Sequence, residues 1–125
     1  MSTVTRYEGF VKKGWGHENI IITNELYCAK FLHFDKVGNK FSMHFHKNKD
    51  ETWHVLKGAF KLRLIDTRTG KVNETILIVG DTIRVFPLTV HQLEALTDDS
   101  EILEVSTPDS DEDNFRVAPG DNQLA

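Results

Sequence analysis

The sequence predicts an all-β fold, an antiparallel sandwich or barrel, and three observations carry that expectation. Short runs of apolar, aromatic and β-branched residues recur along the chain. Turn-forming residues separate them, and no long amphipathic helix is apparent. The expected strands are 20–23, 26–34, 40–46, 52–57, 60–65, 75–79, 82–86, 90–95 and 102–106. The first is Ile-Ile-Ile-Thr, and the second ends Ala-Lys-Phe-Leu-His-Phe. In the third, Phe41, Met43 and Phe45 alternate with Ser42, His44 and His46, the two-residue period of a strand. Runs 52–57 and 60–65 flank Gly58, whereas 75–79 is wholly β-branched or apolar. The last three pieces, Thr-Ile-Arg-Val-Phe, Val-His-Gln-Leu-Glu-Ala and Ile-Leu-Glu-Val-Ser, mix apolar and polar residues over strand length. Lys36-Val-Gly-Asn39, Thr67-Arg-Thr-Gly70 and Gly80-Asp81 supply the turns, through residues that accept positive φ or satisfy a local backbone group.

At 125 residues and 14.3 kDa, the expected organisation is one domain spanning 1–125, with the barrel at about 11–106 and an acidic segment at 107–125. With 39% hydrophobic residues and eight Phe, the chain can bury a core, which argues against disorder and coiled coil. The formal charge of −4 argues against a dedicated nucleic-acid binder. Eight acids fall between residues 98 and 113 with no Lys or Arg among them, leaving residues 1–97 mildly basic. The end of the chain is expected to pack loosely, its acids forming a solvated face or a short helical turn.

Cys28 is alone, so neither an intramolecular disulfide nor a thiolate zinc site is available, and a reducing compartment is the expectation. The first residues lack the apolar run of a signal peptide, and no stretch is long and apolar enough to span a bilayer. A cytoplasmic protein with no membrane partner is therefore expected.

The strongest chemical signal is Gly38-x5-His44-x-His46-x4-Glu51-x6-Gly58, paired with Gly80-x10-His91. Two apart on a strand, His44 and His46 point to one face and Phe45 to the other. Glu51 opens the next strand beside them, and His91 would add a third imidazole. A lone His-x-His pair arises easily on a surface strand, but here glycines, carboxylate and distant histidine coincide. Three neutral imidazoles and a carboxylate suit one divalent transition metal (Zn, Mn, Fe, Co or Ni), and the set is too rich in nitrogen for a typical Mg or Ca site. Octahedral coordination by these four residues leaves two positions for water or substrate oxygens.

His54 is out of phase with Glu51 and should face away, His17 falls in a glycine-rich loop, and the facing of His33 is open. Trp15 reads as a core anchor and Trp53 as a cavity wall. Lys47, Lys49, Lys57, Lys61 and Arg63 bias the neighbourhood positive, which would suit an anionic ligand, although exposed strand charges explain most such runs. No Walker-type or dinucleotide glycine motif and no Ser-His-Asp signature is present.

The two-part pattern resembles the cupin superfamily, whose members fold as a small jelly-roll β-sandwich, a double-stranded β-helix, with one metal in its mouth. The first half matches at every anchor. In the second, the usual Pro-x-Gly-x-x-His becomes Phe86-Pro87-Leu-Thr-Val-His91, and Ala95 replaces a frequent Asn. Within cupins the chain is most similar to the mannose-6-phosphate isomerase-like group, over about residues 11–116. That similarity rests on Lys13-Gly-Trp-Gly16, Phe41-Ser-Met-His-Phe-His-Lys-Asn-Lys-Asp-Glu-Thr-Trp53, Phe86-Pro-Leu-Thr-Val-His-Gln-Leu-Glu94, and Glu101-Ile-Leu-Glu-Val-Ser-Thr-Pro108 with Arg116. It implies a sugar or sugar phosphate as ligand and metal-assisted aldose–ketose isomerisation as activity. Lys49 would then be an electrostatic contact and Glu104 a candidate base. Lys49 and Thr52 stand where the group carries Arg and His, and Lys cannot reproduce a bidentate contact. A non-catalytic carbohydrate-binding cupin and an iron-dependent dioxygenase share the same ligand set. A homodimer is expected, because cupins commonly dimerise and short sandwiches leave edge strands open.

Overall fold

The computed structural model describes residues 2–6 and 9–121. Among the described residues eleven strands run in order: β1 Gly9–Lys13, β2 Gly16–Thr23, β3 Cys28–Phe34, β4 Met43–Phe45, β5 Glu51–Lys57, β6 Ala59–Ile65, β7 Val72–Ile78, β8 Thr82–Val85, β9 Val90–Ala95, β10 Ser100–Ser106 and β11 Phe115–Ala118. They form two antiparallel sheets, ordered β1-β2-β3-β10-β5-β8 and β11-β4-β9-β6-β7. This is the jelly-roll β-sandwich that the sequence predicts. None of the described helices is long and apolar enough to cross a membrane.

Each of the nine expected runs overlaps a strand, with the ends of 90–95 matched and those of the others shifted. β3 begins at Cys28 because the Asn24 side chain accepts the Leu26 and Tyr27 amides at 2.8 and 3.0 Å and holds a turn there. Two strands are additional. β1 pairs with β2 from Gly9↔Ile20 to Lys13↔Gly16, and β11 pairs with β4 through Phe115↔Phe45 and Arg116↔His44. Within the segment expected to pack loosely, Phe115–Ala118 is thus stitched to the second sheet, while residues 122–125 lie outside the described residues.

Between the sheets lies a core of Trp15, Phe34, Val55, Phe60, Leu62, Leu93 and Ile102, each nearly or wholly excluded from solvent. Trp15 stacks on Phe34 at 4.5 Å, as expected of an anchor. Gly58 closes the β5–β6 turn at φ +71, and a Cβ there would meet Ser100 Oγ at 2.2 Å, so both backbone and space require glycine.

Strand alternation positions the site. Along β3 the inward residues are Cys28, Lys30, Leu32 and Phe34; along β10 they are Ser100, Ile102, Glu104 and Ser106; along β5 they are Glu51, Trp53 and Val55. Register aligns them in rows. Leu32, Ile102 and Val55 form an apolar row, Lys30, Glu104 and Trp53 a polar one, and Cys28, Ser106 and Glu51 the outermost. The inward faces therefore change from dry core to charged mouth within a few residues.

Candidate metal centre

β4 and β9 place His44 directly opposite His91, and His46 follows just beyond β4. Their rings lie 4.5 to 5.7 Å apart, centroid to centroid, and one ring nitrogen from each falls within 4.8 Å of the others. Glu51, the first residue of β5, enters from the opposite sheet with Oε2 3.4 Å from His46 Nε2 and 3.9 Å from His91 Nε2. The four residues singled out by their spacing thus converge.

Backbone carbonyls fix how each imidazole is presented. His44 Nδ1 donates to Ser42 O at 2.7 Å, His46 Nδ1 to Asp113 O at 2.6 Å, and His91 Nδ1 to Thr89 O at 2.8 Å. With the proton on Nδ1, each Nε2 keeps a lone pair, the arrangement in which histidine binds metals. Burial disfavours the charged form, and the neighbouring imidazoles add to that for His44. The pKa of His44 falls to about 2 and that of His91 to about 4, while His46 is also lowered.

Glu51 Oε2 and His91 Nε2 are buried with no hydrogen-bond partner among the described residues. Orphaned acceptors cost roughly 1–3 kcal/mol each, so a buried pair aimed at one point is unexpected unless a cation fills it. Burial, reinforced by Glu104, pushes the Glu51 carboxyl well above its ordinary range, and a cation at that point would restore its charge. Three neutral nitrogens and a carboxylate oxygen fit a divalent transition metal.

Beside the cluster lies a buried charge network that composition alone does not reveal. Lys49 Nζ contacts Asp109 Oδ1 at 2.7 Å and Glu104 Oε2 at 3.2 Å. Lys30 Nζ contacts Asp109 Oδ2 at 2.9 Å, Glu18 at 3.5 Å and Glu104 at 3.6 Å. Trp53 Nε1 donates to the other Glu104 oxygen at 3.0 Å. Burial opposes ionisation of Glu104, but Lys49 and Lys30 outweigh it and hold the carboxyl well below the usual range. Burial equally opposes the charge on Lys49 and Lys30, and the surrounding carboxylates, Glu104 foremost, outweigh it and raise both. Lys30 and Asp109 carry no motif. The available signal for Lys30 is that it shares strand phase with the buried Leu32 and Phe34.

The remaining candidates lie elsewhere. His54 faces away, as expected, and bonds Thr82 Oγ1 at 2.7 Å. His17 belongs to β2 rather than a loop and stacks on His33, which turns outward to Glu101 and Asp99 at 3.2 and 3.3 Å. The basic run does not form one patch: Lys61 and Arg63 pair with Glu74, Arg63 also with Glu94, and Lys47 lies over the Phe115 ring.

A cavity of about 500 Å³ opens over this centre. Trp15, Leu32 and Phe41 form an apolar wall, and His44, Glu51 and Lys49 a polar one. Neither a protein-family model nor a curated protein matches the sequence. Solved structures do match. KdgF from Halomonas sp. superposes with a TM-score of 0.71 at 23% identity, covering 84% of this chain and 90% of that one. CapF from Staphylococcus aureus, a capsular polysaccharide assembling protein, gives 0.80 at 16% identity, and oxalate decarboxylase from Bacillus subtilis gives 0.75 at 20%. They cover 91% and 94% of this chain. The chain has the cupin fold. It spans about a third of the CapF and oxalate decarboxylase chains, 32% and 33%. At these identities the likeness is one of architecture. In this chain, Leu88 occupies the glycine position of the second motif and adopts φ +68, while its amide donates to His46 O at 2.7 Å.

Proposed function

We propose that this cupin is a metal-dependent enzyme acting on a small sugar or sugar phosphate by aldose–ketose isomerisation. His44, His46, Glu51 and His91 hold one divalent transition metal in this reading. The observation that carries it is the convergence of three tautomer-locked imidazoles on the orphaned Glu51 oxygen, at the floor of an open cavity. A bound divalent ion supplies Lewis acidity toward carbonyl and hydroxyl oxygens. The cavity volume suits a monosaccharide, and Trp15 and Phe41 offer apolar surface to its ring. CapF, by its description, belongs to polysaccharide assembly, which favours the carbohydrate class.

Glu104 is the candidate base, being ionised and lining the cavity. It takes the proton from the carbon beside the carbonyl and returns it to the former carbonyl carbon, while the hydroxyl proton passes between the two oxygens. No redox partner is needed. Lys49 donates to a substrate oxygen while Asp109 keeps it charged. A phosphate would sit at the rim, because Lys49 is already committed to two carboxylates. Lys13 and Arg116 also line the cavity and make no ion pair among the described residues.

The test is deuterium wash-in at C2 of aldoses and aldose phosphates, followed by NMR with metal-replete protein. Exchange that disappears in Glu104→Gln supports isomerisation, and no exchange across the panel overturns it. A second reading is a carbohydrate-binding cupin without turnover. It is favoured by the same two lysines, which make Glu104 a weak base. Saturable sugar binding without exchange would select it, and oxygen uptake by iron-loaded protein would select the dioxygenase instead.

A further inference from the structure

The acidic turn near the end of the chain is built into the metal centre. Residues Asp111–Asp113 form a single 3-10 turn, and the Asp113 carboxylate receives three consecutive amides of the β4–β5 loop: Lys47 at 2.6 Å, Asn48 at 3.0 Å and Lys49 at 3.0 Å. The Asp113 carbonyl accepts from His46 Nδ1 at 2.6 Å. One residue thus holds both the ring of His46 and the backbone of the loop joining His46 to Glu51. Those amides have no strand partner of their own, so without the carboxylate the loop loses its anchor. Four positions earlier, Asp109 bridges Lys30 and Lys49.

We infer that Asp113 is a positioning residue for the metal site, acting through the β4–β5 loop to set the ring orientation of His46 and the placement of Glu51. This rests on the metal reading above. The carbonyl that accepts from His46 Nδ1 is backbone and survives substitution, so the carboxylate reaches the ligands through the loop amides it holds, and loss of groups that orient metal ligands typically costs 10- to 100-fold in metal affinity. The neighbouring Glu112 is exposed, makes no hydrogen bond or ion pair among the described residues, and serves as control.

The experiment titrates the full-length chain with Co²⁺, reading affinity by chelator competition and coordination geometry from the visible absorption bands. Asp113→Ala is expected to weaken binding about 10- to 100-fold and to alter the band pattern. Asp113→Asn, which keeps an acceptor oxygen, is expected to recover part of the affinity and, as the milder change, guards against misfolding. Glu112→Ala is expected to match wild type. Undiminished affinity and an unchanged spectrum in Asp113→Ala would overturn the positioning role while leaving the metal reading intact, as would an equal loss in Glu112→Ala. A wild-type chain that binds no Co²⁺ would overturn both.

Discussion

The inward faces of β3, β5 and β10 hold two chemistries on one register. The row of Leu32, Ile102 and Val55 is apolar and dry, and one two-residue step away, about 7 Å along the strands, lies the row of Lys30, Glu104 and Trp53. Both rows are buried: Ile102 is 0% exposed and Glu104 4%. Alternation therefore determines only that a side chain enters the sandwich. What holds it there differs: dispersion and the hydrophobic effect in one row, and mutual neutralisation in the next. The polar row tolerates burial because each charge has partners, two lysines sharing Glu104 and Asp109.

The comparison breaks most sharply at Glu104. Its replacement by Ala removes a carboxylate that two buried ammonium groups share, leaving them Asp109 and, for Lys30, Glu18, and is expected to cost about 3–5 kcal/mol, read by urea denaturation. The matching change in the dry row, Ile102→Ala, leaves a cavity and is expected to cost about 2–4 kcal/mol. The two should part in a second measurement. Ile102→Ala should retain wild-type metal stoichiometry, whereas Glu104→Ala removes the carboxylate beside Glu51 and should change metal affinity. Equal metal binding in both variants would show the rows to be energetically separate from the centre.

The pH dependence sets the metal centre apart from both rows, since its histidines lie on β4 and β9. An imidazole with a folded pKa below its ordinary 6.5 binds more protons when unfolded, so stability is full above 6.5 and falls as pH drops below it. His91 at about 4 and His44 at about 2 make that loss steepest between about pH 6.5 and 4, where both contribute, and continue it toward pH 2 through His44. Metal-free protein should melt at progressively lower temperature across that window, with added metal raising the melting temperature more at pH 8 than at pH 5.5. In a His44→Phe, His91→Phe chain the window should flatten, and an undiminished slope there would place the acid sensitivity elsewhere.

How much of this was legible follows the range of the interactions. His44, His46, Glu51 and His91 stand out because the turns at Gly38, Gly58 and Gly80, each carrying the chain from one sheet to the other, fix their offsets, so local spacing encodes the cluster. The nine runs read correctly for the same reason. β1 and β11 escaped because Phe-Val-Lys-Lys and Phe-Arg-Val-Ala are short, mixed and largely exposed, with no alternation to mark a buried face. Asp109 and Asp113 escaped because their partners lie 60 to 79 residues away, and an acid run looks the same on a solvated face as against buried lysines. Lys30 and Glu104 fall between. A charge in phase with buried apolar neighbours is visible in the sequence, but its partners are not.

The smallest expected effect comes from the loop that bridges the two sheets' chemistry. Leu88 is exposed yet holds φ +68, a conformation that costs a residue with a Cβ about 1–2 kcal/mol. Its side chain contributes no core packing, whereas its amide bonds the carbonyl of His46, so the position is defined by backbone alone. Leu88→Gly removes the strain and adds unfolded-state entropy, two terms of opposite sign and similar size. The net expectation is a gain of about 0.5 kcal/mol in urea denaturation, with metal affinity unchanged because the amide remains. Leu88→Pro deletes that amide and forbids the dihedral, and should both destabilise the fold and loosen His46. If Leu88→Gly instead destabilised the protein, the leucine side chain would have a partner that its exposure does not reveal.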